Sequence, residues 1–305
     1  MSRFNTIKQR LRAGLRAFAG INELVAVTPS PLPPPPPSPP PAVLPTHSRI
    51  LDYYLTTAPD PQQTLDLFKD EWSSQLPEPY NHLRAGTVGL FNDVRITWAF
   101  TQFGDLHGMS ALELGSLDGG HAYMLEQAGA AEVIAIEANS RAFLRCLIVK
   151  ELLKLQRVQF LCGDFVAYLR TAPRRFDLII ASGVLYHMRN PAELIALLAQ
   201  TSDRIYVWTH YYDEAIIKAS PVLAPKFPSS TPTEYGGFAH QLYRQEYQVA
   251  LALSTFCGGT AEHSAWMSRA DLFACVRYFG FTAIEVAFEV PEHPNGPCLA
   301  FVATR

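Results

Sequence analysis

The sequence lacks the features that would tie it to a membrane, a metal or a disulfide framework. No apolar run approaches the roughly 20 residues that a spanning helix needs. Five cysteines, at 146, 162, 257, 275 and 298, form no CxxC pair. Neither a zinc knuckle nor a stapled secreted scaffold is therefore expected, and a reduced, cytoplasmic setting is the default. Nine histidines show no HxxxH or comparable ligand spacing, so no metal is expected. Charge is scarce as well, at 17% of residues, and unevenly placed. Residues 1–45 hold Arg3, Lys8, Arg10, Arg12 and Arg16 against Glu23 alone, which leaves 20 Lys and Arg against 27 Asp and Glu in the remainder. An acidic body is poorly suited to gripping a polyanion, because nucleic-acid affinity rests on cations neutralising phosphates. A nucleic-acid partner is accordingly not expected.

Proline, by contrast, is concentrated. Eleven of the 24 prolines fall between Pro29 and Pro45, a stretch that cannot form helix or sheet interior and is expected to run as polyproline II. It reads as a stiff linker, residues 29–45, between a body and residues 1–28. There Phe4, Ile7, Leu11, Leu15 and Phe18 fall at helical spacing with the basic residues on other faces. This basic amphipathic helix would either dock weakly on a partner or an anionic membrane surface, or fold back on the body. It is not expected to be a signal peptide, since charges interrupt its apolar region. Residues 46–107 read as a helical cap, with helices over 62–75 and 92–103, the second ending at Gly104.

From residue 108 strand and helix patterns alternate. Strands are expected at 110–114, 133–137, 157–162, 176–181 and 204–209, and helices at 120–128, 140–154, 165–171 and 191–200. Alternation of this kind means parallel strands with right-handed crossovers and helices on both faces, with Met124, Leu125, Leu194 and Leu197 as core. After an insertion of about 212–265, helix 268–279 leads to strands 281–290 and 299–303 around a Pro/Gly/Asn turn, an antiparallel hairpin. The fold class is α/β: a doubly wound, mostly parallel seven-stranded sheet with a C-terminal antiparallel hairpin, preceded by N-terminal helices.

Chemistry concentrates at Ser110-Ala-Leu-Glu-Leu-Gly-Ser-Leu-Asp-Gly-Gly-His121. Gly115 and Gly119 allow a sharp turn whose backbone lies against a ligand, with Ser116 between them and a helix start just beyond. Glu137, twenty-two residues after Gly115, ends the next strand, and its two carboxylate oxygens suit both hydroxyls of a ribose. That spacing would also fit a dinucleotide. Three features favour S-adenosylmethionine instead. Glu113 would repel a pyrophosphate but attract a cationic amino-acid end, Leu117 stands where a dinucleotide fingerprint wants a small residue, and a third strand ends in an acid, Asp164, placed to accept the adenine amino group. Asp164 would equally serve to cap the helix after it.

Glu113-x-Gly115-x-x-x-Gly119, Glu137, Asp164 and Gly183-Val-Leu-Tyr-His-Met-Arg-Asn-Pro191, in this order, resemble the class I S-adenosylmethionine-dependent methyltransferases. The likeness covers about 108–210 and 268–305. The Gly183–His187 stretch is locally similar to the tRNA wobble-uridine carboxymethyltransferase group, although Pro297 and Cys298 stand where that group has a basic residue. The resemblance implies that Glu113, Gly115, Ser116 and Gly119 hold the methionine part, Glu137 the ribose and Asp164 the adenine, with Ser182 and Tyr186 flanking the reacting centre.

Methyl transfer from a sulfonium needs mainly alignment, plus a base where the acceptor is a hydroxyl. His187 and His210, each beyond the end of a strand, are the candidates, with Tyr186 beside them. Tyr211, Tyr212, Tyr235, Phe238, His240 and Trp266 would either stack on a sugar or planar acceptor or form the insertion's own core. The expected function is methyl transfer to an O or N of a small-molecule, sugar or lipid-linked acceptor. A tRNA carboxymethyltransferase and a non-catalytic cofactor-binding scaffold are the alternatives.

Overall fold

The computed structural model describes residues 54–171, 174–252 and 256–305. The expected terminal helix and proline linker lie outside these. Helix α1 (Pro61–Asp66) is capped by the Asp60 side chain, and α2 (Val94–Phe103) by Asp93. There follow β1 (Ser110–Leu114), α3 (Gly120–Gln127), β2 (Glu132–Glu137), α4 (Ser140–Leu152), β3 (Val158–Cys162), α5 (Phe165–Thr171) and β4 (Leu178–Ser182). Then come α6 (Pro191–Thr201), β5 (Arg204–His210), α7 (Glu214–Ala219), β6 (Ser229–Tyr235), β7 (Phe238–Glu246), β8 (His263–Trp266), α8 (Arg269–Tyr278), β9 (Ala283–Val290) and β10 (Cys298–Thr304).

The main sheet has seven strands in the order β3-β2-β1-β4-β5-β10-β9. Its first five are parallel, while β10 runs antiparallel to both β5 and β9. The order reverses between β1 and β4, which opens a crevice at the carboxyl ends of those strands. Both faces are covered, and this explains apolar runs such as Leu178-Ile-Ile-Ala181, which lack the alternation of a half-exposed strand. On one face Leu112, Ile179, Val207 and Phe301 pack against Leu194, Leu198, Leu272 and Val276 of α6 and α8. On the other, Val133, Ile180, Tyr206 and Trp208 pack with Leu125, Val149, Ile96 and the N-terminal Leu65, Phe68 and Trp72. The expected core residues Met124, Leu125, Leu194 and Leu197 are all buried.

Two elements differ from expectation. The helix expected over 62–75 ends at Asp66. Asp70 takes φ 65°, Trp72 Nε1 donates to Leu65 O at 2.8 Å, and the chain turns so that Ser73 and Ser74 meet the glycine turn. The insertion builds a sheet of its own, in the order β6-β7-β8 and antiparallel throughout.

Candidate active site

The chain turns sharply after β1 at two glycines whose left-handed backbone a side chain would strain. Gly115 and Gly119 have φ of 72° and 80°, and a Cβ on Gly115 would lie 2.7 Å from Val184 of the loop after β4. The turns after β1 and β4 therefore touch across the crevice. Gly119 is the N-cap of α3 and supplies no side-chain cap, so the first turn of that helix keeps backbone N–H groups for a ligand. Beside it, Glu137 accepts from Leu117 N and from Asn139 N, each at 2.8 Å. Burial pushes its carboxyl up, while these N–H groups pull it down. Each oxygen retains a lone pair for a further donor.

Asp118, within the same turn, lies fully buried. It accepts from Ser73 N and Ser74 N at 2.9 Å, from Ser74 Oγ at 3.0 Å and from Arg145 Nε at 2.7 Å. Four donors on one carboxylate fasten the N-terminal segment and α4 to the turn. Glu71 extends this tie through Arg141 and Arg145.

Under the turn runs a second buried network. Arg95 grips Asp93 with two nitrogens, and Asp93 Oδ2 lies 3.1 Å from His121 Nε2. His121 Nδ1 is 3.7 Å from Glu113 Oε1. Burial pushes Asp93 up, but the Arg95 guanidinium and His121 outweigh this and hold it well below the ordinary carboxylate range. For Glu113, burial outweighs the pull of nearby His121 and raises the carboxyl to about 7. Glu113 Oε2 and Ser116 Oγ are buried without a hydrogen-bond partner. Ser116 and the Ala122 N–H nonetheless lie near enough to the Glu113 carboxyl to pull it down, and buried polar atoms left short of a full hydrogen bond are costly.

Asp164 acts as the cap of α5. Its Oδ1 accepts from Val166 N at 2.7 Å and Ala167 N at 3.3 Å, and the residue is exposed.

Beyond β4 and β5 the aromatic and histidine side chains converge. Tyr186 lies edge-on to His210 at 4.7 Å, to Trp208 at 5.7 Å and to Trp266 at 6.4 Å, and 4.2 Å from the His187 ring. Burial raises its phenol well above the usual value. Ser182 ends β4 half-buried beside this group, paired in register with Trp208. Trp266 stacks on His210 at 5.1 Å and 8°, and its Nε1 donates to Tyr186 O at 3.1 Å. His187 Nδ1 pairs with Tyr247 Oη at 2.8 Å, and burial depresses its imidazole to about 4. His210 is depressed to about 3, by burial first and by neighbouring His293 second. A void of about 10 Å³ lies against Tyr186, Thr209, His210 and Trp266, room for about one water.

The structure thus brings His187, His210, Tyr186 and Trp266 together, with Trp208 and His293 as members that sequence reasoning missed. His240, Phe238 and Tyr235 stand elsewhere. Phe238 stacks on His240 and meets Tyr278 and Phe279, and Tyr235 lies edge-on to Phe279. Tyr212 stacks on Tyr243 and packs with Ile217, Leu223 and Trp266. Tyr212 and Trp266 thus belong to a small core of the insertion, whereas Phe238 and Tyr235 join the main core beside α8. Among the described residues no helix is long and apolar enough to cross a membrane.

Residues 105–224 match a family described as methyltransferase domain. The chain carries a methyltransferase domain. Its sheet order and C-terminal antiparallel pair are those of the Rossmann-like methyltransferase fold. The N-terminal domain of EvdMO1, crystallised in the presence of SAH and D-fucose, shares the fold at TM-score 0.59 and 23% identity, over 80% of this chain and 94% of that one. The same domain with SAH bound gives 0.58 and 24% over the same shares. Against the larger EvdMO1 chain the values are 0.54 and 21%, with 80% of this chain and 46% of that one covered. No curated protein matches the sequence.

Proposed function

We propose that this methyltransferase acts on a hydroxyl oxygen of a small polar acceptor, a sugar foremost. The observation that carries the reading is the state of His210. Its Nδ1 lies 2.8 Å from Gly296 O. A carbonyl only accepts, so the ring proton sits on Nδ1 and Nε2 presents a lone pair. This acceptor nitrogen stands at the carboxyl end of β5, within a wall of aromatic rings suited to the apolar face of a sugar. The relative crystallised in the presence of D-fucose supports the same class of acceptor.

S-adenosylmethionine, when bound, supplies an activated methyl group and leaves as a neutral thioether. Glu113 would hold its ammonium, Ser116 and the Gly115–Gly119 backbone its carboxylate, Glu137 the ribose hydroxyls and the Asp164 side its adenine. Glu113 Oε2 and Ser116 Oγ, buried and short of a full hydrogen bond, fit that occupant. Ser182 and Tyr186 flank the reacting centre, and the rings of Tyr186, Trp208 and Trp266 exclude water from it. The proton lost by the acceptor hydroxyl passes to His210 Nε2, while His187, held by Tyr247, closes the other side of Tyr186. A body richer in acids than in bases argues against a polyanionic acceptor.

The test is methyl transfer from labelled S-adenosylmethionine to free and linked monosaccharides, beginning with D-fucose, with wild type and His210→Ala. Labelled sugar formed by wild type and lost in the variant is the expected result. Cofactor binding without transfer to any hydroxyl acceptor would refute the reading.

A further inference from the structure

We propose that His210 and His293 form a two-point clasp for one acceptor hydroxyl, His293 donating to its oxygen and His210 accepting its proton. The inference rests on the hydroxyl reading above and adds a residue to it. The turn between β9 and β10 reads Pro291-Glu292-His293-Pro294-Asn295-Gly296-Pro297, and its backbone dictates the protonation of both rings. Gly296 O receives the His210 Nδ1 proton at 2.8 Å, with Pro297 O at 3.3 Å. Asn295 N–H donates to His293 Nδ1 at 3.2 Å, so in neutral His293 the proton is on Nε2. One turn therefore fixes two imidazoles in opposite tautomers, one offering Nε2 as an acceptor and the other offering Nε2–H as a donor.

The rings lie side by side, with centroids 5.1 Å apart and planes at 60°. A hydroxyl has one proton to give and lone pairs to accept, and matches this pair where an amine cation or a carboxylate does not. Burial keeps both rings neutral at pH 7, which opposite tautomers require: His293 is depressed to about 4, by burial first and Arg95 second. Gly296 is also the residue the turn needs. It has φ 107°, and a Cβ there would lie 2.8 Å from the Trp266 ring that stacks on His210.

The same two histidines and Cys298 have potential ligand atoms within 4.8 Å of one another, which raises a divalent metal as the rival occupant. One observation opposes it. A His293 that bound a metal through Nε2 while Nδ1 accepted the Asn295 N–H would have to be an imidazolate.

The experiment uses the full chain labelled with ¹⁵N-histidine. Two-bond proton–nitrogen correlations at pH 7, with signals identified by their loss in His210→Gln and His293→Gln, should show His210 as the Nδ1–H tautomer and His293 as Nε2–H. With S-adenosylmethionine and D-fucose as the probe acceptor, His293→Leu should lower kcat about ten- to hundredfold, the worth of a hydrogen bond to developing charge. His293→Gln, which keeps an N–H donor, should retain most of kcat. Matching tautomers, a zinc-bound imidazole signal with equimolar metal, or a His293→Leu variant as active as wild type would each overturn the clasp. Failure of D-fucose to accept methyl would count against the acceptor reading alone, since the tautomers are read without turnover.

Discussion

Replacing Glu113 by Gln should make the protein more stable and a poorer binder of its cofactor, and both effects should depend on pH. Burial raises the Glu113 carboxyl from 4.5 to about 7. A folded-state value above the unfolded one means that the folded protein holds this proton more tightly. The stabilisation from protonation is fully present below pH 4.5 and is lost as pH rises through 7. The 2.5-unit gap corresponds to about 3 kcal/mol as an upper bound at pH 8. Gln carries no charge, so the variant should gain up to that amount at pH 8 and almost nothing at pH 4. At about 2–4 °C per kcal/mol for a domain of this size, the melting temperature at pH 8 should rise by several degrees. Cofactor affinity should move the other way. The ammonium pairs with a carboxylate that is half protonated at pH 7, so wild-type affinity should fall about a hundredfold from its plateau by pH 5. The variant should bind weakly at every pH. Melting curves and calorimetry with S-adenosylmethionine from pH 5 to 8 measure both. A variant less stable than wild type at pH 8, or a wild-type affinity flat across that range, would refute the placement of a buried, ligand-facing carboxylate.

Asp118→Ala removes the acceptor of four donors, one of them the buried Arg145 guanidinium. It should cost about 3–5 kcal/mol in chemical denaturation. Gly296→Ala places a methyl against the Trp266 ring at a left-handed backbone position. It should cost about 1–3 kcal/mol and lower kcat by disturbing the carbonyl that orients His210. His187 and His210 are depressed to about 4 and 3, so both stay neutral above pH 5. With cofactor saturating, kcat should show no histidine titration between pH 5.5 and 8, and a step near 6.5 in a pH–rate profile would contradict their burial.

Much of the sheet was legible because its strands are buried on both faces and stand out as short apolar runs between glycine-bearing turns, as in Ser110–Leu114 and Leu178–Ser182. The glycine turn and Glu137 were legible for a related reason, since adjacent parallel strands bring the ends of β1 and β2 together whatever else the chain does. Contacts assembled from distant segments were not. Asp93, Arg95, His121 and Glu113 meet only after α2 packs on the sheet, and His293 meets His210 across more than eighty residues. The spacing of Leu65, Phe68 and Trp72 suggested one long helix, yet the same residues pack into the core from a turn in which Asp118 captures the backbone of Ser73 and Ser74. The small sheet escaped notice because strands such as Ser229–Tyr235 are largely exposed and polar. Asp164 shows the ambiguity of an acid between a strand and a helix, where capping and ligand binding ask for the same residue.

The central claim is that an adenosyl cofactor lies across the ends of β1 and β2, between the Gly115–Gly119 turn and Glu137. A crystal structure grown with S-adenosylhomocysteine tests it most directly. The account predicts the ribose hydroxyls on the Glu137 carboxylate and the amino end beside Glu113. Clear density for the compound anywhere else, with Glu137 bonded only to Leu117 and Asn139 and Glu113 away from it, would contradict it.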